Sequence, residues 1–390
     1  MSFTQTDFFR HRGVGVRLAG VAVGFLALHL CFVPLEARSK QAERPLRPTP
    51  ELAKALDTIT PEALRGDLSF LSSDALAGRD TPSPGLDVAA EFIASRFRAM
   101  GLEAPVNGSY FQVADLTESA RRASEHEHYK LRPGPIVARN VIGILRGCDP
   151  KLRNTYVIVS AHYDHIGTVD TAQGRTPEKR VDSTDSIYNG ANDDGSGTVS
   201  VIALAQAFSK LRQKPKRSII FMTFCGEELG LLGSQYYAAH PVIPLKQTIA
   251  DVNLEQIGRT DGDIKKGSAS LTGFEYTTLG DLFRRAGLAF GIHIYQDKNG
   301  DRYFRASDNL SFAQYGIPDT TLCAAFEFPD YHGLKDEWPK IDYDAMAVID
   351  HVVGTVLGAV ADSQVMPEWE PGLNETDVYR KAAAQLYGSE

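Results

Sequence analysis

The sequence is poor in cysteine and has no excess of positive charge. Of its 4 cysteines, Cys31 lies in an apolar N-terminal segment, which leaves Cys148, Cys225 and Cys323. Three cysteines are too few for a disulfide-stapled scaffold, and they fit one disulfide pair as well as three reduced thiols. The 41 lysines and arginines are outnumbered by 49 aspartates and glutamates, for a formal net charge of −8. Nucleic-acid binding needs a basic surface, so we expect no nucleic-acid partner.

The first 37 residues are ordered like a targeting segment. Three arginines precede residue 18, a mostly apolar run spans residues 18–35, and Ala37 offers a small residue for cleavage. This order is typical of a secretory signal peptide, although the run is nearly long enough to span a bilayer. We therefore predict a signal peptide or an N-terminal membrane anchor over residues 1–37. The chain is then secreted or periplasmic, and it contacts a membrane only if this segment remains uncleaved.

The rest of the chain is predicted to hold one domain. Residues 38–59 begin with a polar, proline-bearing stretch and are interpreted as a linker. Residues 60–362 contain no internal repeat and no shift in composition that would divide them. We assign them to a single domain and residues 363–390 to a C-terminal extension. The sequence does not indicate the oligomeric state.

Strand and helix patterns alternate through this domain. Short β-branched apolar runs are typical of buried strands, and apolar residues spaced by three and four are typical of amphipathic helices. Their alternation predicts an α/β fold with a mixed, mostly parallel twisted sheet and helices on both faces. The predicted strands are 140–145, 156–164, 217–226, 248–258, 292–295 and 319–324, and the predicted helices are 60–73, 85–102, 196–213, 229–240, 275–287 and 343–361.

Polar side chains interrupt the apolar pattern where the predicted strands end, which is where open α/β sheets place their sites. Taken singly, each has an ordinary explanation, since an aspartate before a helix often caps it and a lone histidine is usually structural. Taken together, they would form a strongly negative pocket that requires a cation. The residues are His162, Asp164, His165, Asn192, Asp193, Asp194, Glu227, Glu228, Glu255 and His332.

Mixed imidazole and carboxylate ligands suit zinc, although cobalt or manganese can take the same ligands. Two ions about 3.5–4 Å apart need about five side chains if one carboxylate bridges them. Five such ligands are available when only one of the two adjacent glutamates binds metal. They are His162, Asp193, either Glu227 or Glu228, Glu255 and His332.

Six motifs in register carry a family resemblance over roughly residues 60–360. The motifs are SAHYDHIG, NGANDDGSG, FCGEELGLLGS, NLEQIGR, SDNLSFAQYGIP and YHGLKDEW. With them the sequence resembles the co-catalytic dizinc exopeptidases of clan MH, of the bacterial leucyl aminopeptidase and aminopeptidase Y type. The resemblance implies a zinc exopeptidase, phosphorylase/hydrolase-like fold, a dizinc peptidase catalytic domain over 60–362 and two Zn²⁺ ions.

The resemblance also implies a set of metal ligands. His162, Asp193 and Glu255 would hold one zinc ion, and Asp193, Glu228 and His332 the other, so that Asp193 bridges them. The family usually has aspartate at the position of Glu255. We expect the longer side chain to reach the metal, with a metal spacing or affinity that can differ from that of the family.

Three further residues match catalytic positions of the family. Glu227 would be the general base, which activates a metal-bridging water and passes its proton to the leaving amine. Asp164 would orient the imidazole of His162. Tyr331 matches a tyrosine that, in some relatives, hydrogen-bonds the developing oxyanion.

The function implied is that of a zinc-dependent exopeptidase, foremost an aminopeptidase acting on peptides with a free N-terminus. Carboxypeptidase or dipeptidase activity stays open, because the loops that set specificity vary within the family. One alternative on the same fold is a glutaminyl cyclase-like transferase, which typically works with one zinc. Another is a non-catalytic binding ectodomain that has lost its metal site.

Overall fold

The structure is a computed structural model that describes residues 44–127, 129–172 and 185–388. The predicted signal peptide or anchor over 1–37 therefore lies outside the described residues. The strands are β1 (Phe111–Asp115), β2 (Val137–Leu145), β3 (Tyr156–His162), β4 (Gly167–Thr168), β5 (Ile187–Tyr188), β6 (Ser218–Phe224), β7 (Thr248–Glu255), β8 (Ser268–Leu271), β9 (His293–Tyr295) and β10 (Asp319–Cys323). The helices are α1 (Pro50–Leu56), α2 (Pro61–Leu71), α3 (Pro84–Ala99), α4 (Thr117–Glu127), α5 (Gly197–Ser209), α6 (Leu232–Ala239), α7 (Leu279–Phe290), α8 (Gly300–Tyr303), α9 (Asn309–Ala313), α10 (Tyr343–Asp362) and α11 (Asp377–Tyr387).

A mixed sheet of eight strands forms the centre of the fold, in the order β1-β2-β6-β3-β7-β10-β8-β9. The four central strands, β6, β3, β7 and β10, are parallel to one another, whereas β2 and β8 run antiparallel to their central neighbours. The register places Val159 of β3 opposite Phe221 of β6 and Val252 of β7. The mixed, mostly parallel sheet predicted from the alternation of strands and helices is confirmed.

Both faces of the sheet are covered, and alternate residues of each central strand serve different layers. Val157 and Val159 pack into the larger core, which also takes in α1, α2, α3, α5, α7 and α10. Ile158 points the other way, into a smaller core with Tyr237 of α6 and Phe312 of α9. Strands covered on both faces are apolar along most of their length, which is why β3 and β6 appear in the sequence as nearly continuous apolar runs.

Local sequence signals set where the helices begin. The side chain of Thr60 accepts a hydrogen bond from the backbone N–H of Ala63, and Pro61 occupies the first turn of α2. Ser83 and Pro84 repeat this arrangement at the start of α3. A capping hydroxyl satisfies one of the unpaired N–H groups of the first turn, and proline needs no such partner there.

Part of the predicted linker is instead packed into the core. Within residues 38–59, α1 buries Leu52 and Leu56 against α10. Glycines on α10 permit the close approach, because a Cβ at Gly354 would lie 2.4 Å from a methyl carbon of Leu56, and one at Gly358 would lie 2.5 Å from Leu52. The composition of residues 38–59 is polar on average and so conceals this short amphipathic turn.

The predicted C-terminal extension also packs against the domain. Trp369 and Tyr379 are buried and stack on each other, with ring centroids 4.9 Å apart. Both rings contact Phe304, and the indole N–H of Trp369 donates to the carbonyl of Gly316. Residues 363–388 thus add a small aromatic cluster to the domain rather than a separate tail.

The three cysteines in the described residues form no disulfide. Cys148, Cys225 and Cys323 are all free, and of these only Cys148 is exposed.

Within the described ranges, α10 is the one helix with the length and hydropathy of a membrane span. Because 72% of its apolar stretch is buried inside the protein, α10 has the packing of a core helix.

Candidate metal centre

The central parallel strands bring most of the predicted site residues to one edge of the sheet. His162 is the last residue of β3 and Glu255 is the last residue of β7. Glu227 and Glu228 follow the end of β6, and His332 lies in the loop after β10. Because β3, β6, β7 and β10 are parallel, their carboxyl ends meet at the same edge.

Asp193 reaches this edge from an irregular turn before α5. Both carboxylate oxygens of Asp336 accept the backbone N–H of Asn192 at 3.0 Å, and one of them also accepts the N–H of Asp193 at 3.0 Å. The Asp193–Asp194 peptide bond is cis. A carboxylate from the loop after His332 therefore positions the turn that carries Asp193.

Asp194 is directed away from the donor groups and joins three segments. Its carboxylate accepts backbone N–H groups from Gly197 at 3.0 Å, Gln256 at 3.1 Å and His162 at 3.3 Å. By accepting the N–H of Gly197, the Asp194 carboxylate caps the start of α5. The other two N–H groups lie at the ends of β7 and β3. Of the two adjacent aspartates, only Asp193 thus faces the imidazoles.

The carboxylate of Asp193 lies between two imidazoles. Its Oδ1 is 3.3 Å from Nε2 of His162, and its Oδ2 is 3.1 Å from Nε2 of His332. Burial alone would raise the pKa of Asp193, but these two imidazoles hold it well below its ordinary value. The group is therefore ionised and presents one oxygen to each side.

Two sets of three side chains bring donor atoms within 4.8 Å of one another, as a metal ion requires. The first set is His162, Glu227 and Glu255, and the second is His165, Asp193 and Glu228. His332 adjoins the second set, since its Nε2 is 3.4 Å from Oε2 of Glu228. All residues predicted as ligands are thus brought together, with His165 added.

The donor atoms themselves fit a divalent cation. Nε2 of His162, Oδ2 of Asp193 and Oε1 of Glu228 are buried, and none has a partner in hydrogen-bond geometry among the described residues. Buried polar atoms without partners are costly, and these converge on shared space instead of pairing. Imidazole nitrogens with carboxylate oxygens are a donor set that zinc accepts.

Glu227 differs from Glu228 in its electrostatic surroundings. Burial raises the pKa of Glu227 well above its ordinary value, and the carboxylates of Glu255 and Glu228 raise it further against the opposing effect of His162. Burial would also raise the pKa of Glu228, yet His332 and His165 hold it below its ordinary value. The two adjacent glutamates therefore occupy distinct environments.

Asp164 lies beneath both His162 and Glu227. Its carboxylate accepts the hydroxyl of Thr81 at 3.0 Å and the backbone N–H of Glu227 at 3.2 Å. Nδ1 of His162 is 3.6 Å from Oδ1 of Asp164 and 3.2 Å from its backbone carbonyl oxygen. Asp164 thus links the end of β3 to the loop that carries the two glutamates.

Tyr331 stacks on His332, with ring centroids 4.2 Å apart and planes inclined by 26°. Phe328 meets the same tyrosine edge-on at 5.8 Å. Tyr331 as a whole is 39% exposed, so this residue borders solvent.

Two residues near the centre were not singled out by sequence reasoning, and a third, His165, was noted without a role. Arg79 is buried and donates to the carbonyl oxygens of Leu71, Tyr163, Asn189 and Gly190. Burial lowers its pKa to about 10, against the nearby carboxylates, so it stays charged. The partners of Arg79 are distant backbone groups, for which the sequence carries no signal.

Asp336 also binds backbone groups far from it in the sequence, those of Asn192 and Asp193, so no local pattern reveals its role. His165, in contrast, could have been found as the second histidine of SAHYDH.

Relatives in sequence cover part of the chain. A vacuolar membrane protease of Lachancea thermotolerans is 29% identical over 202 residues, which are 50% of this chain and 18% of that protein. A probable zinc metalloprotease of Pyrenophora teres f. teres is 28% identical over 228 residues, which are 56% of this chain and 41% of that protein. The chain thus spans less than half the length of either relative.

Similar solved structures share the fold at low identity. LapA aminopeptidase of Legionella pneumophila has a TM-score of 0.59 at 20% identity, covering 80% of this chain and 75% of that one. Glutaminyl cyclase of Porphyromonas gingivalis has a TM-score of 0.55 at 15% identity, covering 77% of this chain and 98% of that one. At these identities the likeness shows a common architecture.

The family follows from the extent of the sequence match. The model of peptidase family M28 matches residues 140–357, which is more than half of the 390 residues. The matched stretch runs from β2 into α10 and contains every residue predicted to bind metal. The resemblance to peptidase clan MH is confirmed: the chain belongs to peptidase family M28.

Proposed function

We propose that the chain is a dizinc aminopeptidase that removes residues from the free N-terminus of peptides. The observation that carries this proposal is the placement of Asp193, with one oxygen toward His162 and the other toward His332. A carboxylate with donor groups on both sides is what a bridging ligand between two metal ions requires.

Each side of Asp193 has a further carboxylate to complete a site. His162 and Glu255 would hold the first ion with Oδ1 of Asp193, since His162 and Glu255 belong to one compact donor group. Glu228 and His332 would hold the second ion with Oδ2, since their donor atoms lie 3.4 Å apart. Bound zinc lowers the pKa of a water molecule and polarises a peptide carbonyl.

Glu227 is the group best placed to move protons. Its backbone is fixed by the hydrogen bond to Asp164, and its carboxylate approaches to 3.9 Å from Nε2 of His162. A raised pKa makes its carboxylate a stronger proton acceptor, as a general base near neutral pH requires. We propose that Glu227 accepts a proton from the attacking water. It then donates this proton to the amine that leaves when the C–N bond breaks.

Two further residues support this chemistry. Asp164 lies beside His162 and binds the Glu227 backbone, so it would hold ligand and base in fixed relation. Tyr331 stacks on His332, and its hydroxyl would donate a hydrogen bond to the oxyanion as it develops.

The charges around the centre favour an N-terminal substrate group. Two divalent ions would offset most of the charge of the clustered carboxylates, so the preference depends on whether a cationic side chain is free to bind a C-terminal carboxylate. Two neighbouring arginines that a carboxypeptidase could use are already engaged. Arg79 binds four backbone carbonyls, and Arg259 is paired with Asp261 and Asp330.

Metal content and substrate preference together test the proposal. We would measure zinc per chain by elemental analysis and assay aminoacyl-p-nitroanilides, N-blocked peptides and N-terminal glutaminyl peptides, with and without chelator. Near two zinc ions with chelator-sensitive cleavage from free N-termini only is the expected result. Cleavage of blocked peptides at the C-terminus would contradict the substrate class, and cyclisation of glutaminyl peptides with one zinc would favour the glutaminyl cyclase alternative, whose fold this chain shares.

A further inference from the structure

A histidine with no role so far, His165, is enclosed at the base of the centre. Its side chain is fully buried, with 0% exposure. Neither of its ring nitrogens has a partner in hydrogen-bond geometry among the described residues. A buried imidazole normally satisfies at least one ring nitrogen, so this ring calls for a ligand.

The nearest donor atoms place that ligand among residues already assigned to the second ion. Nδ1 of His165 lies 2.8 Å from Oε1 of Glu228 and 3.9 Å from Oδ2 of Asp193. Oε1 of Glu228 likewise lacks a partner in hydrogen-bond geometry, in spite of the short distance. Donors bound to one tetrahedral zinc at about 2.0–2.1 Å lie roughly 3.3 Å apart. The two separations lie on either side of that value, so small shifts of the side chains would let these atoms share an ion.

The ring is held in this position by its surroundings. The backbone N–H of His165 donates to the carbonyl oxygen of Arg79 at 3.2 Å. Gly190 lies against the ring, where a Cβ would come within 2.4 Å of the His165 Cγ atom. Gly190 has a φ of +55°, so both its conformation and the space it leaves favour glycine there.

His332 approaches the same two carboxylates from another direction. The rings of His165 and His332 are 5.6 Å apart between centroids and inclined by 79°. The His332 side chain is 18% exposed, whereas that of His165 is completely enclosed. Asp193 and Glu228 therefore have one imidazole on the open side and one on the buried side.

We propose that His165 is a ligand of the second metal ion through Nδ1, which gives that site four protein donors: His165, Asp193, Glu228 and His332. This inference rests on the proposed function, because it presupposes a second ion. The second site then has one more protein donor than the first, whose three donors leave a position open for water. The second ion should be the last to leave on dialysis against chelator.

A matched pair of substitutions at His165 distinguishes metal binding by this residue from a role in orienting Glu228. His165→Asn places an amide near Nδ1 that can still donate a hydrogen bond to Glu228, but it is a poor zinc ligand. His165→Asp places a metal-binding oxygen at the same reach. The readout is the dissociation constant of each ion, measured by titration with a competing chelator, alongside thermal unfolding as a check on folding.

We expect His165→Asn to weaken the tighter ion by more than about 100-fold, beyond the range typical of residues that only support a ligand. His165→Asp should restore most of that affinity. If His165→Asn binds both ions as tightly as the parent, His165 only orients Glu228 and the inference is wrong. If the parent chain itself binds fewer than two ions, the dizinc function fails first.

A second measurement needs no variant. Cobalt would replace zinc in the parent chain, and the exchangeable imidazole N–H protons shifted by the paramagnetic ion would be counted by NMR. Three such signals, lost in deuterated water, are expected from His162, His165 and His332. Two signals would overturn the inference even if the substitutions prevent folding.

Discussion

Two pairs of buried carboxylates lie close to the same central strands and differ in what surrounds them. At the sheet edge, Asp193 and Glu228 have imidazole nitrogens within 3.4 Å. Within the sheet, Asp251 of β7 and Asp319 of β10 are neighbours in register. The serine hydroxyl of Ser160 donates to Asp251 at 2.9 Å. We call these the edge pair and the interior pair.

The same degree of burial has opposite consequences in the two pairs. Burial raises the pKa of Asp251 and of Asp319 well above the ordinary value, and in Asp319 the neighbouring Asp251 adds to the effect. In the edge pair the imidazoles overcome burial and hold the pKa of Asp193 and Glu228 below the ordinary value. The partner of a buried acid, rather than its depth, thus decides its charge.

The comparison separates two uses of an acidic residue. The edge pair is ionised and lies among imidazole nitrogens that can share a cation with it. Oxygen atoms without hydrogen-bond partners among the described residues occur in both pairs, so the imidazoles make the difference. The raised pKa of both interior carboxyl groups favours their protonated, neutral form between the strands. Four predictions test this difference between the edge pair and the interior pair.

The largest effect is expected from Glu227→Gln, which changes an edge carboxylate that we assign to proton transfer instead of metal binding. Loss of the base should lower kcat by about 10²–10⁴-fold, while both ions remain bound. The checks are steady-state kinetics and elemental analysis of the same sample. Glu228→Gln is the matched control, because it should lose metal as well as activity. Departure of metal from Glu227→Gln would show that Glu227 is a ligand.

Removal of metal should destabilise the whole domain through the edge pair. A ligand present at 100 to 1,000 times its dissociation constant stabilises the folded state by about 2.7–4.1 kcal/mol, and chelation removes this contribution. Calorimetry with and without chelator measures the loss as a lower Tm. An Asp251→Asn chain should show the same loss, since its change lies in the interior pair. An unchanged Tm on chelation would contradict a metal role for the edge pair.

A smaller effect, dependent on pH, is expected from Asp251→Asn. The folded-state pKa of Asp251 is raised, so above the unfolded pKa of about 3.9 only the folded chain keeps this proton. Stability from this group is therefore complete below about pH 4 and is lost as pH rises, by at most about 1.4 kcal/mol per pH unit. Asn carries no such proton, so the variant should gain stability relative to the parent as pH rises.

Urea unfolding of both proteins between pH 4 and pH 8 checks this sign. At pH 4 the two should be about equally stable, and their difference should widen toward pH 8. Asp319→Asn should also gain stability relative to the parent as pH rises, because it removes the other carboxyl group of the interior pair. A difference that shrinks with rising pH would mean that Asp251 is ionised in the folded state.

The smallest effect is expected from Glu255→Asp. The change keeps a carboxylate at the end of β7 and introduces the residue that the family usually has there. Both ions should remain bound and kcat/KM should stay within about tenfold of the parent, a change worth about 1.4 kcal/mol. Glu255→Gln is the contrasting variant and should weaken the first ion. Loss of metal from Glu255→Asp would show that this centre depends on the longer side chain.

Much of the architecture was predictable because its signals are local. The central strands β3 and β6 are mostly apolar, since both of their faces are covered, and the start of α2 carries its own cap in Thr60 and Pro61. The short strands β1 and β8 were not predicted. In β1, Phe111–Asp115, only five residues alternate between buried and exposed, which is too little pattern to distinguish from a loop.

Several features depend on contacts between residues that are far apart in the sequence, which local patterns do not reveal. Helix α1 is buried because Gly354 and Gly358, nearly 300 residues further on, leave space for its leucines. Asp193 faces the imidazoles while Asp194 caps α5, and Asp336 holds the turn that separates their directions. No local pattern distinguishes two adjacent aspartates in this way.

The sequence by itself determined which residues follow the central strands, and therefore which side chains could gather at one edge of the sheet. It also identified the chemistry, since imidazoles and carboxylates at parallel strand ends need a cation. Only the tertiary structure decided how these groups face one another and that His165 joins them. The physical reason is that strand ends follow from local apolar runs, whereas the direction of a donor atom depends on loop conformations that distant residues hold in place.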